Sequence, residues 1–167
     1  MMQAAGIRTP EGETATEVIL SVFRANGLLL AAGDLLAAEH GLTSARWQVI
    51  GAIALAQRPL TVPQTARRMV LARQSVHTTV NRLLADEMAE LVPNTDHRRS
   101  QLVCLTERGR AAFRAVDEKQ AAWVSQLAAG LPRRELETTA RVLGEICTRL
   151  EAARSHPYAQ EGDDHEP

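Results

Sequence analysis

The stretch that decides the fold is LTVPQTARRMVLARQSVHTTVNRLLADEM, Leu60–Met88. Thr61 stands three residues before Gln64, the spacing of a capping box, in which a Thr hydroxyl and a Gln side chain each satisfy a backbone group at the start of a helix. Pro63 falls in that first turn, where its missing N–H costs nothing. The spacing predicts a short helix from Thr61 to about Met69, a turn at VLA (Val70–Ala72), and a second helix over RQSVHTTVNRLLADEM. At about 100° per residue, Val76, Val80 and Leu83 gather on one side of that second helix with Leu84 beside them, which makes a buried stripe. The opposite side collects Gln74, Thr78, Asn81 and Arg82, flanked by Ser75 and His77, with no carboxylate before Asp86. Gln and Asn can pair bidentately with adenine, Arg with guanine, and Thr can touch the thymine methyl. The bland alternative is a polar face with no partner. A solvated face usually mixes Glu with Lys, and this one does not.

The segment that follows weighs further against the bland reading. AELVP (Ala89–Pro93) and SQLVCL (Ser100–Leu105) read as short strands, and NTDHRR (Asn94–Arg99) joins them as a β-hairpin. Leu91, Leu102 and Leu105 are expected to hold the strands against the helices. The tip carries Arg98 and Arg99. Arginines are held by the negative potential of a narrow minor groove, and short polar groups and loop backbone can contact phosphate. Helix, turn, helix and hairpin in this order make a winged helix-turn-helix.

Working outward, Val18, Val22, Ala25, Leu29, Ala32 and Leu36 follow a helical rhythm, so a long helix is expected from Thr16 to about His40. Gly27 and Gly33 weaken it, and Gly41 ends it as a glycine just past a helix end does. Thr43 caps a helix over SARWQVIGAIALAQ, with Trp47, Ile50 and Ala54 on one face. RPL (Arg58–Leu60) is a connector or a brief strand. Thr106 caps a long helix to about Ala129; Gly130 ends it, and Pro132 begins a last helix to about Ser155. The expected fold class is therefore mainly α with a small β-hairpin wing. A winged helix-turn-helix at 42–105 is flanked by helical segments at 16–41 and 106–155. Residues 1–15 are expected to be disordered, and so is the acidic tail, 156–167.

Of the 167 residues, 45% are apolar and only 3% aromatic, so Ala, Leu and Val carry the hydrophobic load and favour helices. No apolar run approaches the roughly 18 residues of a membrane helix and no signal-peptide pattern occurs, so a soluble, cytoplasmic protein is expected. Net charge is −1, but its distribution is uneven: between Arg58 and Arg110 nine arginines face five acids, a surplus of four, so the remainder carries −5. That asymmetry suggests an anionic partner for the middle segment; a mixed solvated surface is the alternative. Lys119 is the only lysine, so contacts to phosphate or bases fall mainly to guanidinium groups.

LTVPQTARRM, RQSVHTTVNRLLAD and NTDHRRSQLVCLTERG, preceded by LTSARWQVIGAIA, closely resemble the MarR family of transcription regulators. The resemblance covers about Thr16 to Arg154 and is most specific between Leu42 and Gly109. It implies a homodimer whose first and last two helices, the segments 16–41 and 106–155, interlock as a dimerisation region, and which binds a pseudo-palindromic stretch of double-stranded operator DNA with two winged domains. Arg98 matches the family's wing arginine, and Arg73 to Asn81 match its recognition positions. The residues expected to face DNA are Thr61, Arg73, Gln74, Ser75, His77, Thr78, Asn81, Arg82, Arg98 and Arg99. The resemblance also implies a small aromatic or phenolic anion as effector, bound between the winged domain and the dimerisation helices. His40, Arg46, Trp47 and Phe113 are the expected walls. The chain departs from the family pattern at three positions: Val70 and Glu87 stand where the family often has Gly, and Ala72 stands where it often has a capping Ser or Thr.

Other chemistry is thinly represented. His40, His77, His97, His156 and His165 show no metal-ligand spacing, and no paired Cys-x-x-Cys, His-Glu-x-x-His, Gly-rich phosphate loop or nucleophile elbow occurs. Cys104 and Cys147 lie far apart and read as core or surface filler, not as a disulfide framework. No metal, cofactor or enzymatic activity is expected. The alternative to a DNA-binding regulator (expected to be a repressor) is a winged-helix module that binds protein. Such a module would need an apolar outer face on the Arg73–Asp86 helix.

Overall fold

The computed structural model describes residues 8–97 and 99–155. Ten elements follow in order: α1 (Pro10–Ala37) with a 3-10 turn at Ala38–His40, α2 (Ser44–Ala54), β1 (Leu60–Thr61), α3 (Val62–Met69), α4 (Arg73–Ala85), β2 (Ala89–Val92), β3 (Leu102–Leu105), α5 (Glu107–Leu127) and α6 (Arg133–Ser155). They form two compact units divided between Trp123 and Val124.

α1 begins earlier than its apolar rhythm suggests. The Thr9 hydroxyl accepts the Gly12 N–H at 3.1 Å, and Pro10 occupies the first helical position. This is a strong start signal, since Pro has no N–H to leave unsatisfied there. Residues 10–15, expected to be disordered, are therefore helical. Of the expected disordered ends, residues 1–7 and the tail 156–167 lie outside the described residues. Together with its 3-10 turn, α1 is long and apolar enough to cross a membrane by length and composition alone, and very little of it is buried. Ala and Gly interspersed with Leu, Ile, Val and Phe conceal this from a search for unbroken apolar runs.

The capping box at Thr61 is formed: the Gln64 N–H donates to the Thr61 hydroxyl at 3.3 Å, and the Thr61 N–H donates to Gln64 Oε1 at 2.8 Å. Thr43 likewise caps α2, its hydroxyl accepting the Arg46 N–H at 3.3 Å. The core of the first unit is the face on which α2, α3, α4 and the sheet meet. Ile50, Val76, Val80, Leu83 and Val103 are each at most 1% exposed, and Val116 of α5 reaches the same cluster. The stripe expected on α4 is thus the buried one.

The wing hairpin gains a third strand, because β1 pairs antiparallel with β3 (Leu60 opposite Val103), giving the order β1-β3-β2. β2 pairs with β3 with Ala89 opposite Leu105 and Leu91 opposite Val103. Val103 and Leu105 are buried as the hydrophobic pattern requires. Leu91, expected to help hold the wing, is 41% exposed, since it lies on the outer strand beyond the reach of the core.

Three helix ends share one geometry, in which a residue with positive φ lets the next N–H reach back to a carbonyl five residues earlier. Leu42 N–H bonds Ala37 O across Gly41 (φ 66°), Leu71 N–H bonds Ala66 O across Val70 (φ 53°), and Met88 N–H bonds Leu83 O across Glu87 (φ 56°). Val70 and Glu87 do here what a glycine does most easily, which gives their departure from the family pattern a physical meaning.

In the second unit none of residues 133–154 of α6 is buried. The helix is laced by the ion pairs Arg133–Glu137 and Arg149–Glu145, both at 2.7 Å and spaced i,i+4. Even so it exposes Leu136 at 41% and Leu150 at 61%.

Candidate nucleic-acid interface

α4 presents Arg73, Gln74, Ser75, His77, Thr78, Asn81 and Arg82 to solvent while Val76, Val80 and Leu83 face inward. The hydroxyls of the exposed Thr78 and the half-buried Thr79 donate to the carbonyls of Gln74 and Ser75 at 3.0 Å, which spends their protons. Asn81 Nδ2 lies 3.4 Å from His77 Nδ1, one turn back on the same face. The polar surface is therefore partly ordered before any ligand arrives. No carboxylate interrupts it until Asp86, which is turned away and ion-paired with Arg46.

The start of α4 is open. Ala72 has extended backbone and offers no capping side chain, so the first N–H groups of the helix point out unsatisfied. The wing follows close by. Its tip is folded by two local bonds, Asp96 N–H to Asn94 Oδ1 at 3.1 Å and Ser100 N–H to His97 O at 2.9 Å, and it exposes His97 and Arg99. Arg98, the expected wing arginine, lies outside the described residues.

Thr61, expected to face DNA, is only 7% exposed, and its hydroxyl accepts the Gln64 N–H in the α3 cap. With the exposed Arg58 and Arg67, which the sequence reading did not single out, it lines a cleft of about 540 Å³ between α3 and the wing residues Asn94 to His97. The sequence carried this signal only as part of a charge surplus, because the β1–β3 pairing that brings Arg58 beside the wing joins residues some forty positions apart.

The four expected ligand walls are not brought together. His40 lines a cavity of about 540 Å³ with Glu39, Met88 and Arg108. Phe113 lines a different one of about 410 Å³, with Cys104, Arg58, Arg110 and Arg114. Trp47 packs against the core, and Arg46 is taken up by a hydrogen bond to Gly41 O at 3.0 Å and by its pair with Asp86. The separation arises because α2 turns the side chains of Arg46 and Trp47 toward α4 and the core. The Glu39 carboxyl is held below the ordinary carboxylate range by its hydrogen bond to Lys119, and Glu107 is held low by Arg114 and then Arg110. The Cys104 thiol is raised, chiefly by burial and also by Glu90, so it stays protonated at neutral pH; Cys147 is exposed. Among the described residues no cluster of three or more His, Cys, Asp or Glu has the arrangement to hold a metal ion.

A sequence model described as the MarR family matches residues 40–100, the segment that builds the open face of α4 and the wing. The chain belongs to the MarR family. Its members are transcription regulators, and the winged fold described above is theirs. Among relatives, an uncharacterised protein of Mycobacterium tuberculosis (strain H37Rv) is 38% identical over 137 residues, spanning 82% of this chain and 94% of its own. Among solved structures, the M. tuberculosis transcriptional regulator MosR in complex with DNA superposes with a TM-score of 0.66 at 20% identity, covering 84% of this chain and 98% of that one. Staphylococcus aureus MarR in complex with salicylate and kanamycin gives 0.70 at 15% identity, covering 84% and 94%.

Proposed function

We propose that this MarR-family chain is a cytoplasmic homodimeric repressor that binds a pseudo-palindromic operator. The observation that carries the reading is the exposed, carboxylate-free face from Arg73 to Arg82, flanked by the wing. On this reading Gln74 and Thr78 meet base edges in the major groove, Arg98 and Arg99 reach the minor groove or backbone, and Arg58 and Arg67 take phosphates. A protein-docking module would instead show large apolar side chains on that face of α4.

The dimer is supported by apolar surface that a lone chain leaves wet: Phe23 at 69%, Leu28 at 64% and Leu35 at 81% on α1, and Leu136 and Leu150 on α6. Covering such groups contributes about 25 cal/mol per Å², which favours a second copy on both helices. Two-fold symmetry then demands half-sites about one helical turn apart. For α1 alone a lipid bilayer is the competing cover; recovery of a detergent-free dimer by sedimentation would decide against it, and recovery only with membranes would decide for it. An effector anion is the finer part of the proposal. His40 Nε2 is buried without a hydrogen-bond partner, and a cavity opens beside it. A MarR of the same fold has been solved with salicylate, a phenolic acid.

The test is selection of a duplex from a randomised pool, followed by competition against a scrambled duplex. Gln74→Ala or Thr78→Ala is expected to cost about 1–3 kcal/mol on the selected duplex and much less on the scrambled one. Affinity should fall steeply with salt. A wild-type protein that selects no sequence, or binds equally at low and moderate salt, defeats the reading.

A further inference from the structure

The recognition helix α4 is open at its start and tied down at its end. Asp86 follows its last turn. A carboxylate there opposes the helix dipole, whose negative end lies at the C-terminus. It also adds a negative charge on the element that the reading above places against phosphates. Both effects disfavour an acid at this position unless something specific holds it.

What holds it is Arg46. One guanidinium nitrogen, Nη1, donates to the Gly41 carbonyl at 3.0 Å, at the close of the 3-10 turn that ends α1. The other, Nη2, is ion-paired with Asp86. The Arg46 side chain is only 14% exposed and its Nε is buried without a partner among the described residues, while the Asp86 side chain is 44% exposed, so solvent screens the pair from the Asp86 side. Arg46 is itself fixed, because its residue sits in the first turn of α2, whose N-terminus is capped by Thr43 and whose Ser44 N–H donates to Asp34 of α1 at 2.6 Å. Two further restraints converge on the same turn. The Thr106 hydroxyl donates to Glu87 O at 2.7 Å, and the backbone of Gly109 lies so close to the Met88 carbonyl that a Cβ there would collide with it.

We infer that Arg46 is a positioning residue: it ties the C-terminal end of the recognition helix to the end of α1, and operator selectivity depends on that tie. The inference rests on the proposed operator binding. Arg46 is the polar restraint among these that links the end of α4 to the α1–α2 corner, so it adds to the packing of Val76, Val80 and Leu83 in the core in fixing the angle at which α4 leaves the rest of the domain. That angle decides whether the side chains at the open end, Arg73 to Thr78, meet their base edges together.

Asp86→Ala separates positioning from charge. By electrostatics alone, removing a carboxylate tightens binding to every duplex. By positioning, affinity for the duplex selected by the wild-type protein falls about five- to tenfold, the low end of typical coupling between sites, while affinity for a scrambled duplex is unchanged or rises. Arg46→Lys keeps the charge but cannot span both acceptors, and is expected to lose part of the selectivity. A thermal melt within a few degrees of wild type shows that Asp86→Ala remains folded; if it does not, Asp86→Asn carries the same comparison with a smaller perturbation. If the wild type prefers its selected duplex and Asp86→Ala keeps that preference undiminished, the tie is only structural and the inference falls. If the wild type shows no preference at all, the operator reading falls with it.

Discussion

The two helices of the helix-turn-helix are held at opposite ends. α3 is closed at its start by a reciprocal capping box, with Thr61 and Gln64 satisfying each other's backbone groups, and its last turn ends on Val70 in a conformation that costs a β-branched residue strain. α4 has no side-chain cap at its start, and its end is gripped by Arg46, Thr106 and the close backbone of Gly109. The difference follows from their tasks. α3 is a strut whose register must not slip, so its N-terminus is locked into the sheet through β1. On the proposed reading α4 offers its first turn to DNA, which leaves its far end for the restraint.

The largest expected effect comes from breaking the grip on α4. Gly109→Ala places a methyl against the Met88 carbonyl, a backbone atom that cannot swing aside as a side chain could. α5 must move off the turn or the turn must open, and a loss of about 3 kcal/mol is expected, at the upper end for overpacking. Urea denaturation reads it; a stability equal to wild type would mean the turn is not clamped at all.

Removing the α3 cap comes next. Thr61→Ala deletes one acceptor of the capping box at a buried position, so the half-buried Gln64 N–H loses its protein partner. A loss of up to about 2 kcal/mol is expected. If Thr61 serves only as the cap of α3, DNA affinity per folded molecule should not change. A selective loss of operator binding in a folded Thr61→Ala protein would return Thr61 to the DNA-facing set.

How much of this was legible in the sequence depended on distance along the chain. The capping box, the α4 stripe of Val76, Val80 and Leu83, the Gly41 helix end and the Thr106 cap all arise within one or two turns, where residue spacing alone carries the signal. The cap at Thr9 and Pro10 was equally local, but it lay ahead of the apolar rhythm used to place α1. What was hidden is long-range. Arg46 reaches Asp86 forty residues away, and β1 joins the sheet across the same gap. Leu91 is expected to pack the wing against the helices with Leu102 and Leu105, but on the outer strand β2 it stays 41% exposed. The expected effector walls line no common cavity in the single chain for a related reason. Arg46 and Trp47 lie near His40 in sequence, but α2 rotates them toward other neighbours.

A smaller effect, of opposite sign, tests the strained end of α3. Val70 adopts the same turn geometry as Gly41, at a cost of about 1–2 kcal/mol for a residue with a Cβ. Gly removes that strain but gives back part of the gain as unfolded-state entropy, so Val70→Gly should stabilise by about 1 kcal/mol. Val70 is 54% exposed, so little packing is lost. A destabilised variant would show that the valine side chain contributes contacts that outweigh its backbone strain.

The smallest expected change supplies α4 with the cap it lacks. Ala72 already has the extended backbone of a capping residue, so Ala72→Ser needs no rearrangement for its hydroxyl to accept an N–H of the first turn. A gain of about 0.5–1 kcal/mol in stability follows. Its effect on DNA is the sharper reading. If the open N-terminus of α4 uses its free N–H groups to bind a phosphate, the new hydroxyl competes for one of them, and affinity should fall on selected and scrambled duplexes alike while the protein becomes more stable. If affinity stays constant or rises with stability, the uncapped start has no part in binding. The difference between α3 and α4 would then reduce to the tie at Asp86.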